Sequence, residues 1–532
     1  MAEKFNRATF TRSFIRHLTR IKAPDEMLAE ASEQGLEKTL GVWDLIILGV
    51  GAIIGSGIFA VVGIAAAGSA DGSSIGAGPA LMISMIIAAI ACIFSALCYS
   101  EFATMIPVAG GAYTYTFATL GEFAAWMVGW VLMLEYAIGF IAVACAWSNH
   151  FVQFLAGFDK VLPAWLAHPP VWLTNDVFSV SKMLADNPDI YVPRFLGVPV
   201  CINLPAILIV LLMTAILVKG TKDSAKMAGV MVFIKLAVIA LFVIAGAFYI
   251  RPENWTPFAP NGIEGIFAGA FLIFFAYIGF DALATAAEEC KNPQKDLPIG
   301  IIGSLLITTI VYVLVALVLT GMQDTAGAVS LEFLKAPMAY CMVMVKQNWA
   351  AGLISIGSLA GLTSVLLVLE MAATRILFAM SRDHFISSRF QKIHPKFKTP
   401  VLLTWTVGVL AVVGILTLNL DVAAELCNYG TFTSFIIVCV AVLILRHTDP
   451  NRPRPFKVPF SPVTPSLGII CCGGLMVYKS LQAGSSALLF PVWLGVGAIF
   501  YLLYGFIKNR NNENKVHKEL VQAAIKERET AK

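Results

Sequence analysis

The sequence predicts an all-α polytopic membrane protein with about twelve transmembrane helices. Three observations carry this reading. Of 532 residues, 58% are apolar and 13% charged, with a mean hydropathy of +0.80; soluble domains are nearer half apolar and a quarter charged. Apolar stretches of about 18 or more residues recur along the whole chain, each long enough to cross the hydrocarbon core as a helix. Lys and Arg also gather in alternate connections, as positive-inside sorting requires.

The spans fall at 43–67, 79–105, 113–157, 203–219, 226–250, 264–286, 299–321, 349–380, 401–419, 422–446, 463–482 and 487–508. The third and eighth exceed a perpendicular crossing, so they tilt or project beyond the bilayer. An even count puts both termini on one side. The tails and even-numbered connections hold about 28 Lys and Arg and the opposite connections about 7, which makes that side cytoplasmic. The polar, Pro-rich 158–202 connection lies outside and contains no span. Residues 1–40 form a charged tail, and the first apolar run is too long for a cleavable signal. Within that tail Phe10, Phe14, Leu18 and Ile21 share one helical face, with Arg12, Arg16 and Arg20 off it. That pattern suits either an amphipathic helix on an anionic leaflet or a solvated basic tail. Residues 509–532 form the other tail.

Several function classes drop out. A formal charge of +4 gives no sign of a nucleic-acid partner. The ten cysteines, including the adjacent Cys471 and Cys472, sit mostly in apolar runs without metal-ligand spacing and read as packing residues. No G-x-x-x-x-G-K-[ST], H-E-x-x-H or G-x-S-x-G occurs. Gly55 and Gly57 follow no strand, so a dinucleotide site is rejected. The chain is therefore expected not to be an enzyme and to need no cofactor or metal.

The first span contains "GAIIGSGIF", residues 51–59. Two readings fit. Gly51 and Gly55 form G-x-x-x-G, a helix-contact pattern. Alternatively the helix breaks here, and the freed N–H groups of the following half-helix form an anion site. Five spans later "FFAYIGFDALATAAEE" places Gly279 and Asp281 at membrane depth. Interruptions at corresponding places in two halves point to a transporter site built on inverted repeats. The repeats would be 41–250 and 251–446, followed by two further spans within 447–508.

Four stretches carry a family resemblance: "GVWDLIILGVGAIIGSGIF", "PVAGGAYTYTFATLGEFAAWMVGWVLMLEY", "NWTPFAPNGIEGIFAGAFLIFFAYIGFDALATAAEECKNPQKDLPIGI" and "RILFAMSRDHF". Over roughly residues 38–510 the chain resembles the amino acid–polyamine–organocation transporters, and within them the cationic amino acid transporter branch and its bacterial relatives. The resemblance implies the leucine-transporter-like fold, a 5+5 inverted repeat plus two helices, with alternating access around a midplane site. It implies that Gly55, Ser56 and Gly57, with Ile53 and Ile54 beside them, bind a substrate α-carboxylate through backbone N–H groups. The carbonyls of Phe275, Ala276 and Ile278 would meet the α-ammonium. Any one of Phe274, Phe275, Tyr277 and Phe280 also reads as a packing aromatic.

Four ionisable residues lie well inside spans, where an unpaired charge costs several kcal/mol: Glu135, Lys235, Asp281 and Glu370. Lys235 lies nine residues beyond Lys226, about 13 Å along a helix, so snorkelling is one reading. The resemblance implies another: a lysine standing in for a coupling sodium ion, touching first-span carbonyls near Gly51 and Ala52 and eighth-span groups, and coupling transport to protons. Glu135 and Asp281 would bind a substrate ammonium or guanidinium, or form a structural network. Glu370 departs from the family, whose members usually carry a neutral residue there. It would favour cationic substrates, pair with Lys235 or titrate itself. Arg375, Arg382 and Asp383 read as surface anchors or an inner gate, and Glu288 and Glu289 as interfacial.

The expected function is proton-coupled uptake of L-amino acids, cationic ones preferred, across the plasma membrane or a bacterial inner membrane. An exchanger on the same fold is the near alternative; a receptor or channel is the alternative of another class. Expected partners are the amino acid, the proton and the bilayer; an accessory subunit leaves no trace in a single sequence.

Overall fold

The computed structural model describes residues 18–505 apart from 34–37, 70–74, 159–161, 178–179, 182–183, 185–188, 190, 196–197, 328, 331–332, 335, 418–419 and 483–487. Phe10, Arg12, Phe14 and Arg16 of the amphipathic pattern, and the 509–532 tail, lie outside the described residues.

Among the described residues eight helices are long and apolar enough to cross a membrane, and four shorter apolar helices fill the first, fourth, ninth and twelfth places. In chain order the spans are Val42–Ile53 continuing as Val62–Ala67, Leu81–Met105, Glu122–Ala156, Leu204–Lys219, Thr221–Ala247, Gly262–Tyr277 continuing as Ala282–Thr285, Pro293–Met322, Asn348–Arg382, Val401–Thr417, Leu420–Thr448, Val463–Gln482 and Leu489–Phe500. The third and eighth have 35 residues each, about 50 Å at 1.5 Å per residue. Such lengths exceed the hydrocarbon core of about 30 Å. The third starts at Glu122, nine residues later than expected from 113, because Ala112–Phe117 is a separate short helix ahead of a turn. The described residues of the 158–202 connection include the single-turn helices Ala164–Ala167 and Val171–Thr174 and a two-residue strand pair, Arg194–Phe195 with Val198–Pro199.

The broken first and sixth spans sit at the centre. The seventh packs on the first and second, the sixth on the second, and the eighth on the third and fifth. At one end of the bundle the chain before the first span is stitched to the end of the sixth. The Thr39 and Leu40 N–H groups donate to the Glu289 carbonyl at 3.0 Å, and the Lys291 N–H donates to the Leu40 carbonyl at 2.9 Å. The twelfth span docks on the third through two indoles: Trp126 Nε1 donates to the Gly497 carbonyl at 2.8 Å and Trp130 Nε1 to the Trp493 carbonyl at 3.1 Å.

Candidate functional site

Both expected breaks are present. The first helix ends at Ile53; Ile54 turns extended (ψ 98°), and helix resumes as a wide turn over Gly57–Val61. The sixth ends at Tyr277; Ile278 is extended (ψ 141°) and Gly279 has φ +120°. The two breaks interlock. A Cβ on Gly57 would lie 2.2 Å from the Ala276 Cβ, and one on Gly279 would lie 2.9 Å from the Ala52 Cβ. Glycine is required at 57 by close approach, and at 279 by both approach and dihedral angle. Gly51, by contrast, packs on the fifth span, its Cβ position 3.3 Å from Val232. Both readings of the glycine motif therefore hold, at different glycines.

Beside the breaks lies a small cavity of about 30 Å³. It is lined by Ile53, Gly55, Ser56 and Gly57 of the first span, Phe275 and Ile278 of the sixth, and Glu135 of the third. Gly139, Val143, Val365, Leu369 and Cys427 complete an apolar wall. Helix N-terminal N–H groups lack intrahelical acceptors, so the half-helix beginning at Gly57 presents donors here. Glu135 is fully buried, and neither of its carboxylate oxygens has a hydrogen-bond partner among the described residues. The neighbouring Thr431 hydroxyl donates to the Cys427 carbonyl at 3.0 Å. Buried polar groups are normally paired, so this carboxylate is set to receive a cation or a proton.

The other named residues lie around this cavity, outside its lining. Lys235 is fully buried. Its ammonium donates toward the carbonyls of Val50 (3.0 Å), Gly51 (2.9 Å) and Ile54 (2.7 Å), and toward the Ser364 hydroxyl (2.9 Å). A break in a helix frees carbonyls; the lysine takes those of Gly51 and Ile54, together with that of Val50, which also accepts from the Ile54 N–H at 3.1 Å. With all its acceptors inside the bundle, Lys235 does not snorkel. The Ile54 carbonyl is thus taken, and the Ala276 carbonyl accepts from the Tyr312 hydroxyl at 2.8 Å. Asp281 accepts from the Tyr136 hydroxyl and from the Gly279 N–H (3.3 Å), which pins the sixth break from within. Glu370 is one residue past Leu369 and so about 100° round the eighth helix. It faces the fourth span, where its Oε1 accepts from Thr214 at 2.6 Å, and it does not pair with Lys235.

Arg375 and Arg382 are buried, not surface anchors: Arg375 pairs with Glu289 and Arg382 with Glu288. Glu288 and Glu289 are accordingly interior partners rather than interfacial residues. Lys22, ahead of the N-terminal helix Pro24–Glu33, bridges Glu30 and Asp383. The residue that sequence reasoning missed is Tyr312 of the seventh span. Its hydroxyl lies 2.9 Å from the Ile53 carbonyl and 2.8 Å from that of Ala276, spanning both breaks. The available signal was a tyrosine inside an apolar run, since a buried hydroxyl needs a partner.

The amino acid permease family matches this chain over residues 40–507. The methylthioribose transporter of Bacillus subtilis is 41% identical over 487 residues, 92% of this chain and 97% of the relative. The branched-chain amino acid permease BcaP of the same organism is 41% identical over 490 residues, again 92% and 97%. Cationic amino acid transporter 9, chloroplastic, of Arabidopsis thaliana is 35% identical over 429 residues, 80% of this chain and 70% of the relative. These relatives are permeases and transporters rather than enzymes. With two interlocked helix breaks around a central cavity, and with this match across almost its whole length, the chain belongs to the amino acid permease family of the APC superfamily.

Proposed function

We propose that this permease imports L-amino acids together with protons by alternating access, with cationic side chains preferred. The observation that carries the coupling is the Lys235 ammonium on three first-break carbonyls. A positive charge at the C-terminal end of the half-helix Val42–Ile53 is favoured by the helix dipole. Loss of one proton removes both the charge and a donor, and the half-helix is then less firmly held to the fifth and eighth spans. Substrate would place its α-carboxylate at Gly55, Ser56 and Gly57 and its α-ammonium at the carbonyls near Phe275 and Ile278. Its side chain would meet Glu135. Ile54 and Ala276 serve through carbonyls committed to Lys235 and Tyr312, and Asp281 holds the sixth break. Glu370 belongs to the contact between the fourth and eighth spans.

The repeats run over 41–250 and 251–446, with both termini cytoplasmic in the plasma membrane or a bacterial inner membrane. A second reading, an aliphatic substrate with Glu135 protonated, is favoured by the wall of Val143, Val365, Leu369 and Ile278. The test is uptake of labelled arginine and leucine into proteoliposomes, with and without an inward proton gradient. Accumulation that follows the gradient, with arginine ahead, is expected. Leucine ahead of arginine would replace the first substrate reading by the second. Exchange without gradient-driven accumulation would identify an exchanger, and binding without accumulation a receptor.

A further inference from the structure

Glu135, Gly139 and Val143 follow one another at four-residue intervals and form one stripe of the third helix along the central cavity. Gly139 is the dip in that stripe. The backbone does not ask for glycine there, since the residue lies inside the helix Glu122–Ala156 without a positive φ. Packing does not ask for it either. A Cβ built on Gly139 would meet the Leu369 Cδ1 at 3.5 Å and the Cys427 Sγ at 3.7 Å, both ordinary contacts. Gly129, ten residues earlier in the same helix, is different: a Cβ there would lie 2.8 Å from the Met380 Sδ. A mid-helix glycine is less stable than alanine by about 1 kcal/mol, so the gap at Gly139 is kept open against the helix's own preference. That gap adjoins Glu135, whose carboxylate oxygens have no partner among the described residues.

We propose that Gly139, with Cys427 opposite it, sets the length of side chain that the substrate can carry. The carbons beyond the substrate Cβ lie over Gly139, and the Cys427 thiol is the far wall of their seat. This deepens the amino acid transport reading and rests on it. Cys427 is buried, and its thiol donates to the Glu135 carbonyl at 3.4 Å, which fixes the wall at the level of that residue. Leu369 of the eighth span closes the remaining side. The cavity of about 30 Å³ has room for roughly two waters. Substrate entry therefore displaces its walls, and each methyl group added to them counts. Alanine ends at its Cβ and does not reach the seat, whereas arginine and leucine do. The seat thus serves the cationic and the aliphatic substrate readings alike.

The test compares arginine, leucine and alanine on the full chain in proteoliposomes, as labelled uptake and as the rise in melting temperature that each amino acid gives. Gly139→Ala places a methyl in the gap with no contact below 3.5 Å, so its own melting temperature should be no lower than that of the unaltered protein. Its apparent affinity for arginine and leucine is expected to fall by about tenfold, with that for alanine changed less than about twofold. Adding Cys427→Ala withdraws the opposite wall and is expected to recover about threefold of the loss. A parallel loss for all three amino acids, or no loss for any, would overturn the proposal, because Gly139 would then serve helix packing alone. An unaltered protein that binds the three without accumulating them would refute the transport reading, while the melting temperatures of the variants still decide the role of Gly139.

Discussion

The first-span break and the sixth-span break share one cavity and differ in what holds them. At the first, the carbonyls of Val50, Gly51 and Ile54 accept from an ammonium, with the Ser364 hydroxyl beside it 3.0 Å from the Gly51 carbonyl. At the sixth, the Ala276 carbonyl accepts from Tyr312, and Asp281 ties Tyr136 to the Gly279 N–H. An ammonium loses a donor and its charge in one deprotonation step, whereas a phenol near neutral pH does neither. The difference teaches that a proton can address one break while the other keeps its shape. Tyr312, within reach of both Ile53 and Ala276, is where the two meet.

The largest effects are expected where the breaks interlock. Gly57→Ala drives a methyl into Ala276, with the Cα of Ala276 2.5 Å away. Overpacking of this kind costs about 1–3 kcal/mol, and uptake should fall by about ten- to a hundredfold. Ala276→Gly should restore part of it, because much of the clash is between two methyl groups. Gly279→Ala should fall equally far and should not be restored by Ala52→Gly, since φ +120° remains unfavourable with a Cβ. Equal rescue in the two double variants, measured as initial uptake in proteoliposomes, would erase the distinction between a steric break and a dihedral one.

Lys235→Met against Tyr312→Phe sharpens the chemical half of the comparison. With Lys235→Met, gradient-driven accumulation should drop by about twentyfold, while substrate-protected labelling of the cavity persists. Tyr312→Phe should slow uptake several-fold, about 1 kcal/mol for one lost hydrogen bond, and leave the ratio of uptake with and without the gradient unchanged. A Tyr312→Phe protein that loses gradient dependence would place coupling across both breaks rather than at the first. Glu135→Gln tests the cavity that they share. The arginine-to-leucine uptake ratio should fall by about tenfold, the effect of one favourable charge contact of about 1.4 kcal/mol. An unchanged ratio would favour the aliphatic reading.

The spans were legible because hydrocarbon demands long apolar helices, and the breaks because glycine and an acid at membrane depth are expensive without a purpose. Lys235 stood out because a charge at membrane depth is costly, but its place on first-span carbonyls came from the family resemblance, since one lysine in an apolar run does not name its acceptors. Tyr312 was not, since one phenol in an apolar run resembles core packing until its hydroxyl is seen between two carbonyls. The Gly57 to Ala276 contact was hidden because it joins residues far apart in the chain. The start of the third span was misplaced because the short helix Ala112–Phe117 is as apolar and aromatic as the span it precedes.

Glu135 and Glu370 show the limit of the same reasoning most clearly. Each is one carboxylate in one apolar helix, and in sequence they look equivalent. Packing separates them: Glu135 lines the cavity, whereas Glu370 turns about 100° past Leu369 onto the fourth span. There Thr214 donates to one of its oxygens while the other has no partner among the described residues, and Gly408 of the ninth span lets Thr214 sit close, 2.4 Å from where a Cβ would be. Glu370→Gln keeps the shape and retains an acceptor for Thr214. It should change the arginine-to-leucine ratio by less than about twofold, well below the effect of Glu135→Gln. Thr214→Val, which removes the donor and leaves the carboxylate buried alone, should lower the melting temperature more than it lowers uptake. A selectivity change in Glu370→Gln as large as that in Glu135→Gln would mean that the eighth helix rotates during transport and brings this acid to the substrate.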